Sequence, residues 1–143
     1  MIRRLTPAGW QTFRDLRLEA LRLEPAAYAS SLADWTGLPE SEWRARLEAN
    51  AVFCAFDGHM PAGLAGLRPD GAVIMVYVRA ACRGRGMAQG LMEAVRSEAQ
   101  ERGLPQVWLH VHKDNAAALR LYGALGYAIT NEDGPDIVMA RYP

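Results

Sequence analysis

Lysine is scarce in this chain, and there is no excess of charge of either sign. Lys113 is the only lysine among 16 basic residues, and 16 acidic residues balance them. Domains that bind nucleic acids usually carry a basic excess, so the balance argues against nucleic acid as a partner. We interpret the preference for arginine over lysine as a compositional bias and not as a binding signal.

The chain also contains few cysteines and no long hydrophobic run. The two cysteines, Cys54 and Cys82, have neither the spacing of a metal site nor that of a disulfide framework. We therefore expect no metal and a reducing, cytoplasmic location. The first residues lack the apolar region of a signal peptide, and no run reaches the length of a membrane span. No membrane partner is expected.

Length and periodicity predict one domain of mixed α and β structure. The chain has 143 residues, 50% of them hydrophobic, which is enough for one core and a single domain over residues 1–143. Two helices, separated by an irregular segment from Glu24 to Glu40, precede a meander of three antiparallel strands. A strand, a helix and a strand then predict a right-handed unit with parallel strands, followed by a helix and a hairpin.

The first predicted helix begins at Thr6 and Pro7 and has apolar residues at spacings of three and four. This stripe consists of Trp10, Phe13, Leu16, Ala20 and Leu23. The arginines of the helix, Arg14, Arg17 and Arg22, are expected on its other faces, in contact with solvent.

The stretch from Val73 to Ala88 combines a buried strand, a turn with two glycines and the start of a helix. That order directs free backbone N–H groups and the positive end of a helix dipole at one point, which favours phosphate. Gly84 and Gly86 allow close approach of a ligand to the backbone, and Arg83 and Arg85 can add charge. The turn matches neither Gly-x-x-x-x-Gly-Lys-Ser/Thr nor Gly-x-Gly-x-x-Gly.

The turn does fit Arg/Gln-x-x-Gly-x-Gly/Ala, as Arg83, Gly86 and Ala88. A second pattern, Asn-x-x-Ala-x-x-x-Tyr-x-x-x-Gly-Phe/Tyr, is matched at Asn115, Ala118, Tyr122, Gly126 and Tyr127. With both patterns in this order, the chain resembles the GNAT superfamily of acyl-CoA-dependent N-acyltransferases. The resemblance implies a largely antiparallel sheet of six to seven strands with one parallel pair, flanked by about four helices.

The resemblance also implies a binding site for acetyl-CoA. The loop would hold the diphosphate, and the edge of the preceding strand would pair with the pantetheine arm. Asn115 would contact that arm, and the hydroxyl of Tyr122 would lie near the sulfur. The expected cofactor-binding residues are Val76, Tyr77, Val78, Arg83, Gly84, Arg85, Gly86, Met87, Ala88, Asn115 and Tyr122.

The expected reaction is direct attack of a primary amine on acetyl-CoA, with Tyr122 as the catalytic acid. The general base stays open among Glu24, Asp70, His110, His112 and a water relay. The acceptor is a small-molecule or peptide amine, and the segments Glu24–Trp43 and Asn131–Asp136 are expected to shape its pocket. A homodimer is implied by the family only. The alternatives are a non-catalytic acyl-CoA binder and an ATP-binding protein.

Overall fold

Seven strands form two antiparallel sheets in the computed structural model, which describes residues 1–143. The strands are β1 (Ile2–Arg4), β2 (Ala51–Asp57), β3 (Met60–Leu67), β4 (Val73–Val78), β5 (Val107–His112), β6 (Ala128–Asp133) and β7 (Asp136–Arg141). The first sheet has the order β1-β2-β3-β4 and the second the order β5-β7-β6.

The two sheets meet where β4 and β5 run parallel to each other. A single bridge joins Ala72 to Trp108, and the Trp108 N–H donates to the carbonyl oxygen of Gly71 at 3.1 Å. A Cβ at Gly71 would lie 2.6 Å from the carbonyl oxygen of Gln106, so the two backbones approach this closely only with glycine. Beyond this point β4 and β5 form no further pairs and face each other across a gap.

A bulge in β4 follows directly after the bridge. The register against β3 passes from Ile74 opposite Gly66 to Tyr77 opposite Leu64, and Met75 has a left-handed φ of 59°. A bulge bends its strand and increases the local twist. It therefore contributes to the divergence of β4 from β5.

Helices cover both faces of the sheets. They are α1 (Trp10–Leu23), α2 (Leu32–Thr36), α3 (Glu40–Ala49), α4 (Met87–Glu101) and α5 (Ala116–Ala124). None of them has the length and apolar character needed to cross a membrane. The predicted fold class is confirmed, with five α-helices instead of about four because α2 forms within the irregular segment.

Two apolar cores result, one on each face of the first sheet. Alternate residues of β2 point to opposite faces: Val52 packs with Phe13 and Trp43 of α1 and α3, and Ala51 packs with Leu91 of α4. Burial on both faces explains why these strands read as nearly continuous apolar runs.

The predicted stripe of α1 is correct at its centre and wrong at two positions. Phe13, Leu16 and Ala20 are buried, but Leu23 is 58% exposed and Arg17 only 4%. Arg17 lies four residues after Phe13 and four before the buried Leu21, so helical geometry places it on the buried face. The expectation that Arg17 is solvated is wrong.

Gly63 lies on β3 where there is no space for a side chain. Its Cβ would lie 2.6 Å from the Tyr77 carbonyl oxygen, so Gly63→Ala should lower the free energy of unfolding by about 1–3 kcal/mol. Gly123→Ala is the control: its Cβ meets nothing within 4 Å, and alanine favours helix α5 by up to about 1 kcal/mol. Urea unfolding of both variants measures the difference, and equal midpoints would contradict the packing of β3 on β4.

Candidate active site

The gap between β4 and β5 is part of a cleft of about 930 Å³. This volume lies near the upper end of the range of about 300–1,000 Å³ typical of small-molecule sites. The loop before α4 lines one part of the cleft, and β4, β5 and the start of α5 line its sides. The segment after α1 contributes Tyr28, Ser30 and Trp35 to this lining.

The glycine turn before α4 presents a row of free donors. Gly84 and Gly86 have φ of 77° and 79°, a backbone conformation that residues with side chains rarely adopt. A Cβ at Gly84 would meet nothing within 4 Å, so backbone conformation and not lack of space requires glycine there. The six consecutive N–H groups from Gly84 to Gln89 have no acceptor in the protein. Because the last of them start α4, the helix dipole reinforces their attraction for an anion.

The two arginines of this turn have different surroundings. Arg83 lines the cleft, donates from Nε to the Val78 carbonyl oxygen at 2.9 Å and forms an ion pair with Glu24. Arg85 lies outside the cleft lining and donates to both carboxylate oxygens of Asp57, at 2.9 and 3.1 Å. These hydrogen bonds lower the pKa of Asp57.

The edge of β4 that faces the cleft presents backbone groups of alternate residues. The carbonyl oxygen of Val76 accepts from the Tyr28 hydroxyl at 2.8 Å, and that of Val78 accepts from Arg83. The N–H and C=O of one strand residue point to the same side, so the N–H groups of Val76 and Val78 also face the cleft.

Tyr77 anchors this strand to α1. Its hydroxyl donates to Glu19 at 2.7 Å, and Glu19 also accepts from Arg79 at 2.9 Å. Burial alone would raise the pKa of Glu19, but the hydrogen bonds from Arg79 and Tyr77 outweigh it and the pKa is lowered. The backbone of Tyr77 pairs with Leu64 of β3. Tyr77 therefore holds β4 in place, whereas its neighbours on the strand present their backbone to the cleft.

Asn115 and Tyr122 both line the cleft from α5. The Oδ1 atom of Asn115 caps α5 by accepting from the Ala118 N–H at 3.1 Å, and its Nδ2 group makes no hydrogen bond. The Tyr122 ring is 8% exposed and packs edge-on against Tyr127, with ring centroids 5.9 Å apart. The Tyr127 hydroxyl is sealed in the core, but that of Tyr122 is accessible from the cleft. Burial raises the pKa of Tyr122, which keeps the phenol protonated.

Three of the four side chains considered as a general base line the cleft: Glu24, His110 and His112. The Nδ1 atom of His112 accepts from the Asp114 N–H at 3.2 Å. Asp70 does not line the cleft, and its hydrogen bonds with Arg68 lower its pKa.

The hairpin tip at residues 131–136 does not line this cleft. The cleft therefore gives no support to a role of the tip in the acceptor pocket, which stays a prediction. Strand β7 lies between β5 and β6, so the β6 side of the hairpin is separated from the gap.

Arg17 is the site residue that sequence reasoning missed. It lines the cleft, and its Nε and Nη1 atoms are buried without a hydrogen-bond acceptor. Its Cζ atom lies 4.6 Å from the centroid of the Trp35 ring and 4.9 Å from that of Tyr28. Burial lowers its pKa to about 10, so the side chain is cationic at neutral pH. The sequence does contain a signal for this position: a charged residue stands at the helical spacing of the apolar stripe.

Comparison with known proteins identifies the family of this chain. The model of the acetyltransferase (GNAT) family matches residues 10–127. The chain belongs to this family.

Relatives and solved structures agree with this assignment. A mycothiol acetyltransferase from Renibacterium salmoninarum is 31% identical over 129 residues, which cover 83% of this chain and 36% of the relative. The chain thus spans about a third of that relative's length. The PaiA N-acetyltransferase from Thermoplasma acidophilum, in complex with coenzyme A, has a TM-score of 0.84 at 16% identity, covering 100% of this chain and 98% of that one. A GNAT acetyltransferase from Streptococcus pneumoniae has a TM-score of 0.82 at 20% identity, covering 99% and 97%. These two structures show the same fold.

Arg17→Met should stabilise the protein. The substitution removes a buried cation without a carboxylate partner and keeps an apolar side chain of similar length, so we expect the free energy of unfolding to rise by about 1–3 kcal/mol. Arg14→Met is the control, because Arg14 also lies over an indole ring, that of Trp10 at 5.0 Å, but is 37% exposed and pairs with Asp15. Its effect should stay within about 0.5 kcal/mol. Urea unfolding at neutral pH measures both variants. If the free energy of unfolding falls more in Arg17→Met than in Arg14→Met, the buried cation does not destabilise the protein and the prediction is wrong.

Proposed function

We propose that this chain transfers an acetyl group from acetyl-CoA to a primary amine. The observation that carries the proposal is one cleft with free backbone donors at the glycine turn and the accessible phenol of Tyr122 further along. The edge of β4 lies between them. The alternative of a non-catalytic acyl-CoA binder shares the turn and the strand edge but needs no phenol beside the sulfur.

The N–H groups from Gly84 to Gln89 are suited to hold the diphosphate, with Arg83 at the edge of the cleft. Arg85 can also bind the diphosphate if it exchanges its Asp57 partner for a phosphate oxygen. Breaking this exposed ion pair costs little, because such a pair contributes about 0–1 kcal/mol to stability. Met87 and Ala88 contribute the first backbone donors of α4.

The edge of β4 is suited to pair with the amides of the pantetheine arm. Val76 and Val78 supply N–H and C=O groups, as in the addition of a strand to a sheet edge. The arm can displace the Tyr28 hydroxyl from the Val76 carbonyl oxygen. Alternatively, the arm pairs only with the N–H groups of Val76 and Val78, and the Tyr28 hydroxyl stays in place. The Nδ2 group of Asn115 provides a further donor from the opposite side.

Acetyl-CoA would supply an activated thioester whose sulfur leaves as a thiolate. A backbone N–H group at this edge of β4 that does not pair with the arm would stabilise the oxygen on which negative charge develops when the amine attacks. Tyr122 donates its proton to the departing sulfur and regains one from solvent. The proton lost by the amine passes to Glu24, His110 or His112, directly or through water. The relatives named mycothiol acetyltransferase favour a small-molecule amine over a peptide as the acceptor.

The direct test is release of CoA thiol from acetyl-CoA with a panel of amines: amino acids, polyamines, aminoglycosides, lysine derivatives and peptide N-termini. We expect thiol release with at least one class and a higher thermal midpoint with CoA but not with ATP, because a ligand that binds only the folded state stabilises it. Stabilisation by CoA without thiol release across the panel would favour the non-catalytic alternative. Stabilisation by ATP alone would refute the proposed site.

Tyr122→Phe should lower kcat by about 10²-fold or more, since the leaving sulfur then lacks its proton donor. The KM for acetyl-CoA should change little, because the ring and its packing are retained. Tyr127→Phe is the control: it removes the neighbouring hydroxyl, which is sealed in the core without a partner. Both variants are assayed by thiol release from pH 6 to pH 10 with the best amine. Equal kcat in Tyr122→Phe and the parent protein across this range would remove Tyr122 from the mechanism.

A further inference from the structure

We propose that Arg17 binds a carboxylate of the acceptor, so that the acceptors of this site are small amines that also carry a carboxylate. The inference rests on the proposed function, since it names the acceptor class for that reaction. The charges of the side chains that line the cleft support it first.

Arg17 differs from the other arginines that line the cleft. These are Arg46, Arg68 and Arg83, and each has a carboxylate partner, respectively Glu42 at 3.2 Å, Asp70 and Glu24. Arg17 has no carboxylate within ion-pair distance, although it is the most buried of the four. Glu24 is the only acidic residue lining the cleft, and Arg83 holds it.

The surroundings of Arg17 hold its guanidinium in place but offer no hydrogen-bond acceptor to its buried N–H groups. The rings of Tyr28 and Trp35 offer their faces to the cation, which attracts its charge but leaves its N–H edges without acceptors. Buried polar groups in folded proteins nearly always have partners, so Nε and Nη1 of Arg17 call for an explanation. Because the residue lines the cleft and its Nη2 atom is not among the buried ones, a bound ligand can reach the guanidinium at Nη2 and supply an acceptor to Nε or Nη1 when the side chain turns toward it.

The chemistry favours a carboxylate over a phosphate. The planar fork of arginine matches the two oxygens of a carboxylate. One cation neutralises a monoanionic carboxylate, whereas a phosphate dianion would leave a net negative charge among Phe13, Tyr28 and Trp35. Arg46 also lies over the Trp35 ring, at 4.1 Å from its centroid, but is already paired with Glu42.

The position of Arg17 relative to β4 limits the size of the acceptor. A single side chain, Tyr28, connects them: its ring lies 4.9 Å from Arg17, and its hydroxyl donates to the Val76 carbonyl oxygen at 2.8 Å. A carboxylate on Arg17 and an amine beside the β4 edge therefore fit within one small molecule, such as an amino acid.

The test compares binding of N-acetyl amino acids with that of their carboxamides, in the absence of acetyl-CoA. The probes are the N-acetyl derivatives of glycine, leucine, glutamine and phenylalanine, which resemble products and need no turnover. Tryptophan fluorescence titration gives Kd, and the thermal midpoint of each variant is compared with its own unliganded value. Arg17→Met removes the cation, and Arg46→Met is the matched control, because Arg46 also lies over the Trp35 ring but has a carboxylate partner.

We expect at least one acid to bind about 10- to 100-fold more tightly than its carboxamide, the range of hydrogen bonds to a charged group. Arg17→Met should abolish this preference, Arg17→Lys should restore part of it, and Arg46→Met should keep it. Equal binding of acid and carboxamide, no binding of any acid, or an acid preference that survives Arg17→Met would each overturn the proposal. Stronger Arg17-dependent binding of inorganic phosphate than of every acid would also overturn it.

The two proposals fail in different ways. If no amine supports thiol release but the Arg17-dependent acid preference is present, the acetyltransferase proposal fails and the carboxylate site stands. If thiol release occurs with amines that lack a carboxylate and the acid preference is absent, the acetyltransferase proposal stands and the carboxylate site fails.

Discussion

One backbone contact between two parallel strands determines the shape of the site. The Trp108 N–H reaches the Gly71 carbonyl at the start of β4, and beyond it β4 and β5 separate. Continued pairing would have satisfied the facing edges of both strands and closed the sheet. Because pairing stops there, the edge of β4 keeps backbone donors and acceptors that face a cleft, and both neighbouring helices begin beside it.

The site consists largely of polar groups that folding leaves without partners. The N–H groups from Gly84 to Gln89 have no acceptor in the protein, and neither do the Nε and Nη1 atoms of Arg17. The glycine turn is exposed, so water can serve its N–H groups, but the buried atoms of Arg17 cost stability, and proteins retain such costs mainly at functional sites. Tyr77, Glu19 and Arg79 show the opposite arrangement: their hydrogen bonds are complete and hold β4 against α1.

Most of the fold and much of the site were predictable from local patterns. The strand, glycine turn and helix around Gly86 depend on residues close in sequence, and the structure places them as expected. Arg17 was misplaced because its charge was given more weight than its helical spacing. The pairing of Arg85 with Asp57 could not be read from the sequence, since 28 residues separate them and the β2–β3 turn brings them together.

The order of elements and the glycine turn before α4 follow from local patterns in the chain, because periodicity and turn chemistry depend on neighbouring residues. Which polar groups stay without partners depends instead on long-range contacts. That outcome depends on whether β4 and β5 pair and on which arginines form ion pairs with carboxylates. It also depends on strand β7, which separates the β6 side of the hairpin from the cleft. These are contacts between residues far apart in the chain, and their balance of burial and hydrogen bonding exists only in the folded protein.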